Sequence, residues 1–158
     1  MDVPPRIDDF HVRPARKEDV EGICRIEKSC FPPDSFFLTR RKILYHLRGG
    51  KNLLAVAEKR RGGDIGGYLQ ALYDRRGYGW FNSLAVDPAF RGIGIAGALI
   101  DFMIGDARAR GVRRLFLEVR DNHAGAISLY EKNDFVPLEV VPGYYDDGGD
   151  ALKMVRDL

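Results

Sequence analysis

Apolar residues recur along this chain with two different periods, and each change of period marks an element. Phe10 to Arg13 reads as a short strand. Val20, Ile23, Cys24, Ile26 and Glu27 then fall at helical spacing, which predicts a helix over 16–28 with Glu18 and Asp19 at the dipole-favoured start. Pro32 and Pro33 break it. A second helix is expected from Thr39 as N-cap through Leu47, stopped at Gly49-Gly50. The period then becomes two. Asn52–Lys59 and Ile65–Tyr73 read as a hairpin, and Tyr78–Val86 as a third strand after the turn 74–77. A long helix with Ile95, Leu99, Met103 and Ala107 on one face follows a glycine-rich turn, with Gly111 as its stop. Arg113–Val119 is another strand, and Ala126, Leu129 and Tyr130 share one face of a short helix. Phe135–Val141 and Ala151–Val155 close the chain as a hairpin around a polar loop that carries Tyr144 and Tyr145. The order predicts an α+β fold: a mixed, mostly antiparallel sheet of six to seven strands flanked by about four helices.

The 158 residues are expected to form a single domain over 1–158. A net charge of +2 is too small to point to nucleic acid. Basic clusters at 40–42, 59–61, 75–76 and 113–114 fit solvated turns and helix faces, or local attraction of an anionic cofactor. No apolar run approaches the roughly 20 residues a membrane span needs, and the N-terminal MDVPPRIDDF has no apolar signal-peptide core. Cys24 and Cys30, spaced C-x5-C, match no zinc or redox pattern. Half-buried thiols in a cytoplasmic protein with no bound metal are the expectation, ahead of a cysteine nucleophile.

The most ambiguous stretch is RGIGIAGALI, residues 91–100. Gly92-Ile-Gly94-Ile-Ala-Gly97 satisfies G-x-G-x-x-G, the dinucleotide fingerprint, and Glu118 stands where a ribose-binding acid would be sought. Shifted by one, Arg91-Gly-Ile-Gly94-Ile-Ala96 is an R-x-x-G-x-A cradle that suits coenzyme A. Asp87 to Arg91 separate the strand from Gly92, and the preceding strands form a meander where a doubly wound sheet needs repeated βαβ units. Both facts favour the second reading. In either case a glycine turn opening a helix aims N–H groups at a pyrophosphate. A Walker loop is excluded because no G-K-[ST] follows.

Further residues carry a resemblance. Leu84-Ala-Val-Asp-Pro88, Arg91 to Gly97, Leu117-Glu118-Val119-Arg120, and Leu129-Tyr130-Glu-Lys132 with Phe135 resemble the GNAT superfamily of acyl-CoA-dependent N-acetyltransferases. Within it the chain is similar to the ribosomal-protein-alanine N-acetyltransferase branch. The resemblance implies a GNAT-like fold and acetyl-CoA as cosubstrate. It implies backbone pairing of Leu84, Ala85 and Val86 with the pantetheine arm, and a pyrophosphate site at Arg91, Gly92, Ile93, Gly94, Ile95, Ala96 and Gly97. It implies Glu118 as general base and Tyr130 as general acid. Where the branch carries a coenzyme-binding Asn the chain has His123, with Asn122 one residue earlier, so either could make that contact. Asn133-Asp134-Phe135 replaces the usual x-Gly-Phe, which predicts a tighter or strained turn.

The chemistry is consistent with an amine acceptor. An α-amine of pKa about 8 is roughly one-tenth neutral at pH 7, a lysine of about 10.4 well under a thousandth. A carboxylate is a weak base at its ordinary pKa, so Glu118 suits an α-amine better than a lysine unless burial raises it. The bland readings are a salt-bridge partner for Glu118, a core residue for Tyr130, and a helix cap for His123. Phe31 and Phe36, with Tyr144 and Tyr145, sit in two aromatic loops that suit a peptide groove or a structural lid. Asp34, Glu27 and Asp146 are carboxylates that could meet an ammonium group, and the sequence selects none of them. The expected activity is acetyl transfer to a primary amine, favoured as a protein N-terminus. The alternatives are a lysine side chain or small amine, a non-catalytic acyl-CoA-binding module, and a dinucleotide-dependent oxidoreductase. Oligomeric state is not legible.

Overall fold

The computed structural model describes residues 3–32 and 38–158. Seven strands form one sheet: β1 (Phe10–Pro14), β2 (Asn52–Lys59), β3 (Ile65–Tyr73), β4 (Tyr78–Val86), β5 (Arg114–Arg120), β6 (Val136–Val141) and β7 (Ala151–Asp157), in the order β1-β2-β3-β4-β5-β7-β6. Every neighbouring pair is antiparallel except β4 and β5, which are joined by a helical crossover. Four α-helices accompany the sheet: α1 (Val20–Cys30), α2 (Arg40–Arg48), α3 (Ile95–Ala109) and α4 (Ala124–Lys132). The mixed architecture read from the hydrophobic pattern is the one observed.

Alternation along the strands gives the sheet two apolar faces. Leu53, Ala55 and Ala57 of β2 face α3, where Ile95, Leu99, Met103 and Ala107 are buried with Leu115, Leu117 and Phe135. Leu54 and Val56 point the other way, into a second core with Ile23, Ile26, Ile43 and Tyr68 under α1 and α2. A Cβ on Gly67 of β3 would lie 3.0 Å from Ile95 Cγ2, so the missing side chain lets the first turn of α3 sit close against the sheet. Thr39 caps α2 as expected, accepting from the Lys42 amide at 3.3 Å.

The start of the first helix differs from the sequence reading. Residues 17–19 form a separate 3-10 turn, and the α-helix runs Val20–Cys30. The Asp19 carboxylate explains the break, accepting from the Arg16 amide at 2.7 Å and from both terminal nitrogens of Arg13 at 2.7 and 2.9 Å. Side-chain bonds to nearby backbone compete in this way with a regular helix start. Burial would raise the Asp19 carboxyl, but Arg13 and the Arg16 amide outweigh it and hold the group low.

The feature that positions the site is a notch between β4 and β5. Their parallel pairing covers only Tyr78–Trp80 against Arg114–Phe116. On its other edge β4 stays paired to β3, but the register jumps from Ala71↔Phe81 to Gln70↔Ser83, so Asn82 is an extra residue in β4. Such a bulge bends its strand. Beyond it, β5 continues with β7 through Arg120, and among the described residues no strand pairs with the β5-facing edge of β4 from Phe81 to Val86.

Candidate active site

The mouth of the notch is the turn into α3. Gly94 caps the helix with φ +103°, and Gly92 has φ +79°, left-handed conformations that favour glycine. The first intrahelical bond runs from the Ala98 amide to the Gly94 carbonyl at 3.1 Å. The amides of Ile95, Ala96 and Gly97 therefore have no acceptor within the helix. A Cβ on Gly92 or Gly97 would meet nothing within 4 Å, so the folded chain does not itself fill that space. Donors, a positive helix end and empty side-chain volume together make an anion cradle.

Two expected cofactor residues are tied up inside the chain. Arg91 turns back from the cradle: its Nε donates to the Val86 carbonyl at 3.2 Å and its Nη2 to Cys30 Sγ at 3.3 Å. The Cys30 thiol also donates to the Val86 carbonyl, at 3.4 Å. Arg91 thus braces the end of β4 against α1. Of Leu84, Ala85 and Val86, the last already has its carbonyl engaged. Both cysteines are free and half-buried.

The far wall is β5. Leu117 and Val119 are buried in the α3 core, so Glu118 and Arg120 project from the opposite face. Glu118 lies across from Lys153 of β7. Burial first, then the charge of Glu118, push the Tyr144 phenol up. Tyr145 is raised too, by burial against the opposing pull of Arg120, with Tyr144 and Glu118 adding to the rise. The two tyrosine rings meet edge-on, 5.0 Å apart. Tyr144 and Tyr145 therefore lie within electrostatic reach of Glu118.

Tyr130 approaches from the α4 side. Its ring packs edge-on against Phe81 of β4 at 5.5 Å and against Phe135 at 6.2 Å. Burial first, then Tyr145, push its phenol up to about 12. Tyr145 thus lies within electrostatic reach of both Glu118 and Tyr130. His123 is the N-cap of α4, with Nδ1 accepting from the Ala126 amide at 3.1 Å, and Asn122 is exposed in the turn before it. Asp134 has φ +64°, the single positive φ at a non-glycine among the described residues, so the expected strain is present.

The remaining expectations separate. Phe31 packs against the second core. Phe36 and Asp34 lie outside the described residues. Glu27 is 1% exposed and accepts the Leu38 amide at 3.2 Å, so it ties α1 to the start of α2 and does not face an amine. Sequence reasoning missed Phe81, the Asn82 bulge, and the contacts of Arg120 with the Tyr145 loop. Among these, only Arg120 stood in a motif.

The Acetyltransferase (GNAT) family model matches residues 20–135. The chain belongs to the GNAT family. It is an N-acetyltransferase. This GNAT chain is 30% identical over 168 residues to an N-alpha-acetyltransferase of Saccharolobus solfataricus, covering 95% of this chain and 94% of that one. It is 39% identical over 75 residues to the ribosomal protein bS18-alanine N-acetyltransferase of Escherichia coli K12, covering 46% and 51% of the two chains. Ard1 from Thermoplasma volcanium superposes with a TM-score of 0.83 at 26% identity, covering 95% of this chain and 98% of that one. The dinucleotide alternative for residues 92–97 falls with these matches.

Proposed function

We propose that this GNAT chain moves the acetyl group of acetyl-CoA onto the α-amine of a protein N-terminus, by direct attack inside the β4–β5 notch. What supports the reading is a β4 edge open from Phe81 to Ala85 beside an anion cradle, with Glu118 on β5 and Tyr130 packed against Phe81 of β4. The open β4 edge accepts the amide-bearing pantetheine arm as an added strand would be accepted. The amides of Ile95, Ala96 and Gly97 face the pyrophosphate. N-terminal specificity is supported by relatives named N-alpha-acetyltransferase.

The amine nitrogen attacks the thioester carbonyl carbon. The tetrahedral intermediate collapses by breaking the carbon–sulfur bond. The ammonium proton passes to Glu118, directly or through water. Tyr130 faces the departing sulfur. Its phenol, at about 12, lies well above a thiol of about 8.5, so it serves first as a hydrogen-bond donor that holds its proton until negative charge forms on sulfur.

Two peptides test the acceptor class: one with a free N-terminus and no lysine, the other N-blocked and carrying lysine. Turnover of acetyl-CoA with the first alone supports the proposal; turnover with the second alone overturns it. Thermal unfolding separates coenzymes, because a ligand at 100 times its Kd adds about 2.7 kcal/mol. Acetyl-CoA is expected to raise the midpoint, and NAD to leave it unchanged.

A further inference from the structure

We propose that Arg120 is a positioning residue for the acceptor side of the notch, clamping the β6–β7 loop and its Tyr144–Tyr145 pair against the end of β5. This rests on the acetyl-transfer reading above and adds to it the part that builds the amine-binding wall.

Arg120 follows Glu118 by two residues on β5, so both side chains leave the same face of the sheet. The guanidinium is held on two sides. Its Nη1 lies 3.1 Å from Asp147 Oδ1 and 3.0 Å from Oδ2, and its carbon lies 4.1 Å from the centroid of the Tyr145 ring. An exposed ion pair alone contributes little. Here one planar cation meets both a carboxylate and an aromatic face, and the flat guanidinium stacks on the ring in a way a lysine ammonium cannot reproduce.

The loop is built around that cation. Asp147 Oδ1 also accepts the Gly149 amide at 2.9 Å, and the Tyr145 amide donates to the Gly149 carbonyl at 3.1 Å. Asp150 Oδ1 accepts the Gly143 amide at 2.9 Å, while the Asp150 carbonyl accepts the Asp121 amide at 3.2 Å. A Cβ on Gly149 would stand 2.7 Å from Arg120 Nη1, so the loop leaves no room beside the guanidinium. The segment also carries Asp146, Asp147 and Asp150, and Tyr144 and Tyr145 both feel the charge of Glu118. Without Arg120, the Asp147 carboxylate loses its ion-pair partner and the Tyr145 ring loses the cation stacked on it. The loop then swings away from β5 and takes the tyrosine pair with it.

The test uses Arg120→Met, Arg120→Lys and Asp147→Asn in the full chain, with two readouts. The first is chymotrypsin cleavage after Tyr144 or Tyr145 under native conditions. Wild type is expected to resist, Arg120→Met to be cut fastest, and Arg120→Lys and Asp147→Asn to fall between. The second is steady-state turnover. The KM for the free-N-terminus peptide is expected to rise about tenfold or more in Arg120→Met, with the KM for acetyl-CoA within about twofold of wild type. Unchanged cleavage overturns the proposal, and so does an unchanged peptide KM. An equal rise in both KM values with a lowered melting midpoint also overturns it, since that is a general loss of structure. If wild type turns over no peptide, the acetyl-transfer reading fails, while the cleavage pattern still decides whether Arg120 holds the loop.

Discussion

The amide of Phe135 donates to the carbonyl of Tyr130 at 3.0 Å, and the two rings meet edge-on at 6.2 Å. The Asp134 amide donates to Glu131 at 3.0 Å in the same turn. This pair of bonds is the Schellman cap, in which the residue just past a helix makes an apolar contact with the residue at the start of its last turn. The cap that ends α4 therefore also orients the candidate acid, pressing its ring between Phe81 and Phe135.

The strained residue of that cap gives the first prediction. Asp134 occupies the position glycine favours, with φ +64°, and its side chain is exposed apart from a 3.8 Å contact with Arg156. Asp134→Gly relieves the left-handed strain and is expected to stabilise the protein by about 0.5–1 kcal/mol, part of the gain being offset by the entropy of glycine in the unfolded chain. Asp134→Val should destabilise by more than that. Urea unfolding of the two variants checks the opposite signs.

Tyr130→Phe separates packing from chemistry. The ring contacts with Phe81 and Phe135 survive the change, and the hydroxyl has no hydrogen-bond partner among the described residues. The melting midpoint and the shift produced by acetyl-CoA should stay near wild type, while kcat falls roughly 100-fold, the lower end for a lost general acid. A kcat within a factor of about two of wild type would show that Tyr130 is a core residue only.

The elements were legible because β2, β3 and β4 are apolar runs separated by glycine- and aspartate-bearing turns, and α3 carries a continuous apolar stripe. Lys17–Asp19 was misread because the bond that breaks the helix start joins Asp19 to Arg13, across from β1. Glu118 and Tyr130 stood out through their motifs, and the strain at Asp134 through the missing glycine. The notch did not. Asn82 is a weak strand former, but with neither glycine nor proline beside it the single residue does not mark the bulge that opens β4. The clamp on Tyr145 was hidden for a different reason: Arg120 and Asp147 meet only after β7 has returned alongside β5.

Gly97 gives a prediction whose two halves have opposite signs. It lies in the first turn of α3, and a Cβ there would meet nothing within 4 Å. Gly97→Ala should therefore stabilise the ligand-free chain by about 0.5–1 kcal/mol through helix propensity. The added methyl enters the space next to the free amides, so acetyl-CoA should bind more weakly by roughly tenfold or more. Unfolding without ligand and a coenzyme titration measure the two halves. Equal affinity in the variant would remove residues 92–97 from the pyrophosphate site.

Glu27 sets a pH dependence that is unrelated to the notch. It is 1% exposed, and burial pushes its carboxyl up to about 7, against the Leu38 amide and Lys42, which pull it down. Below pH 4.5, its ordinary value, the group is protonated both folded and unfolded. Between 4.5 and about 7 the unfolded chain ionises first, so stability falls as pH rises through this window and levels off above it. At about 1.4 kcal/mol per pK unit the full fall is on the order of 3 kcal/mol. Glu27→Gln keeps an acceptor for the Leu38 amide but does not titrate. Its extra amide protons add an offset that does not vary with pH. Relative to wild type, Glu27→Gln is therefore expected to gain stability steadily from pH 4.5 to about 7 and to hold the gain above that. Urea unfolding at several pH values, with the m-value checked for constancy, measures the difference. Parallel pH profiles for the two proteins would mean that the Glu27 carboxyl titrates near its ordinary value.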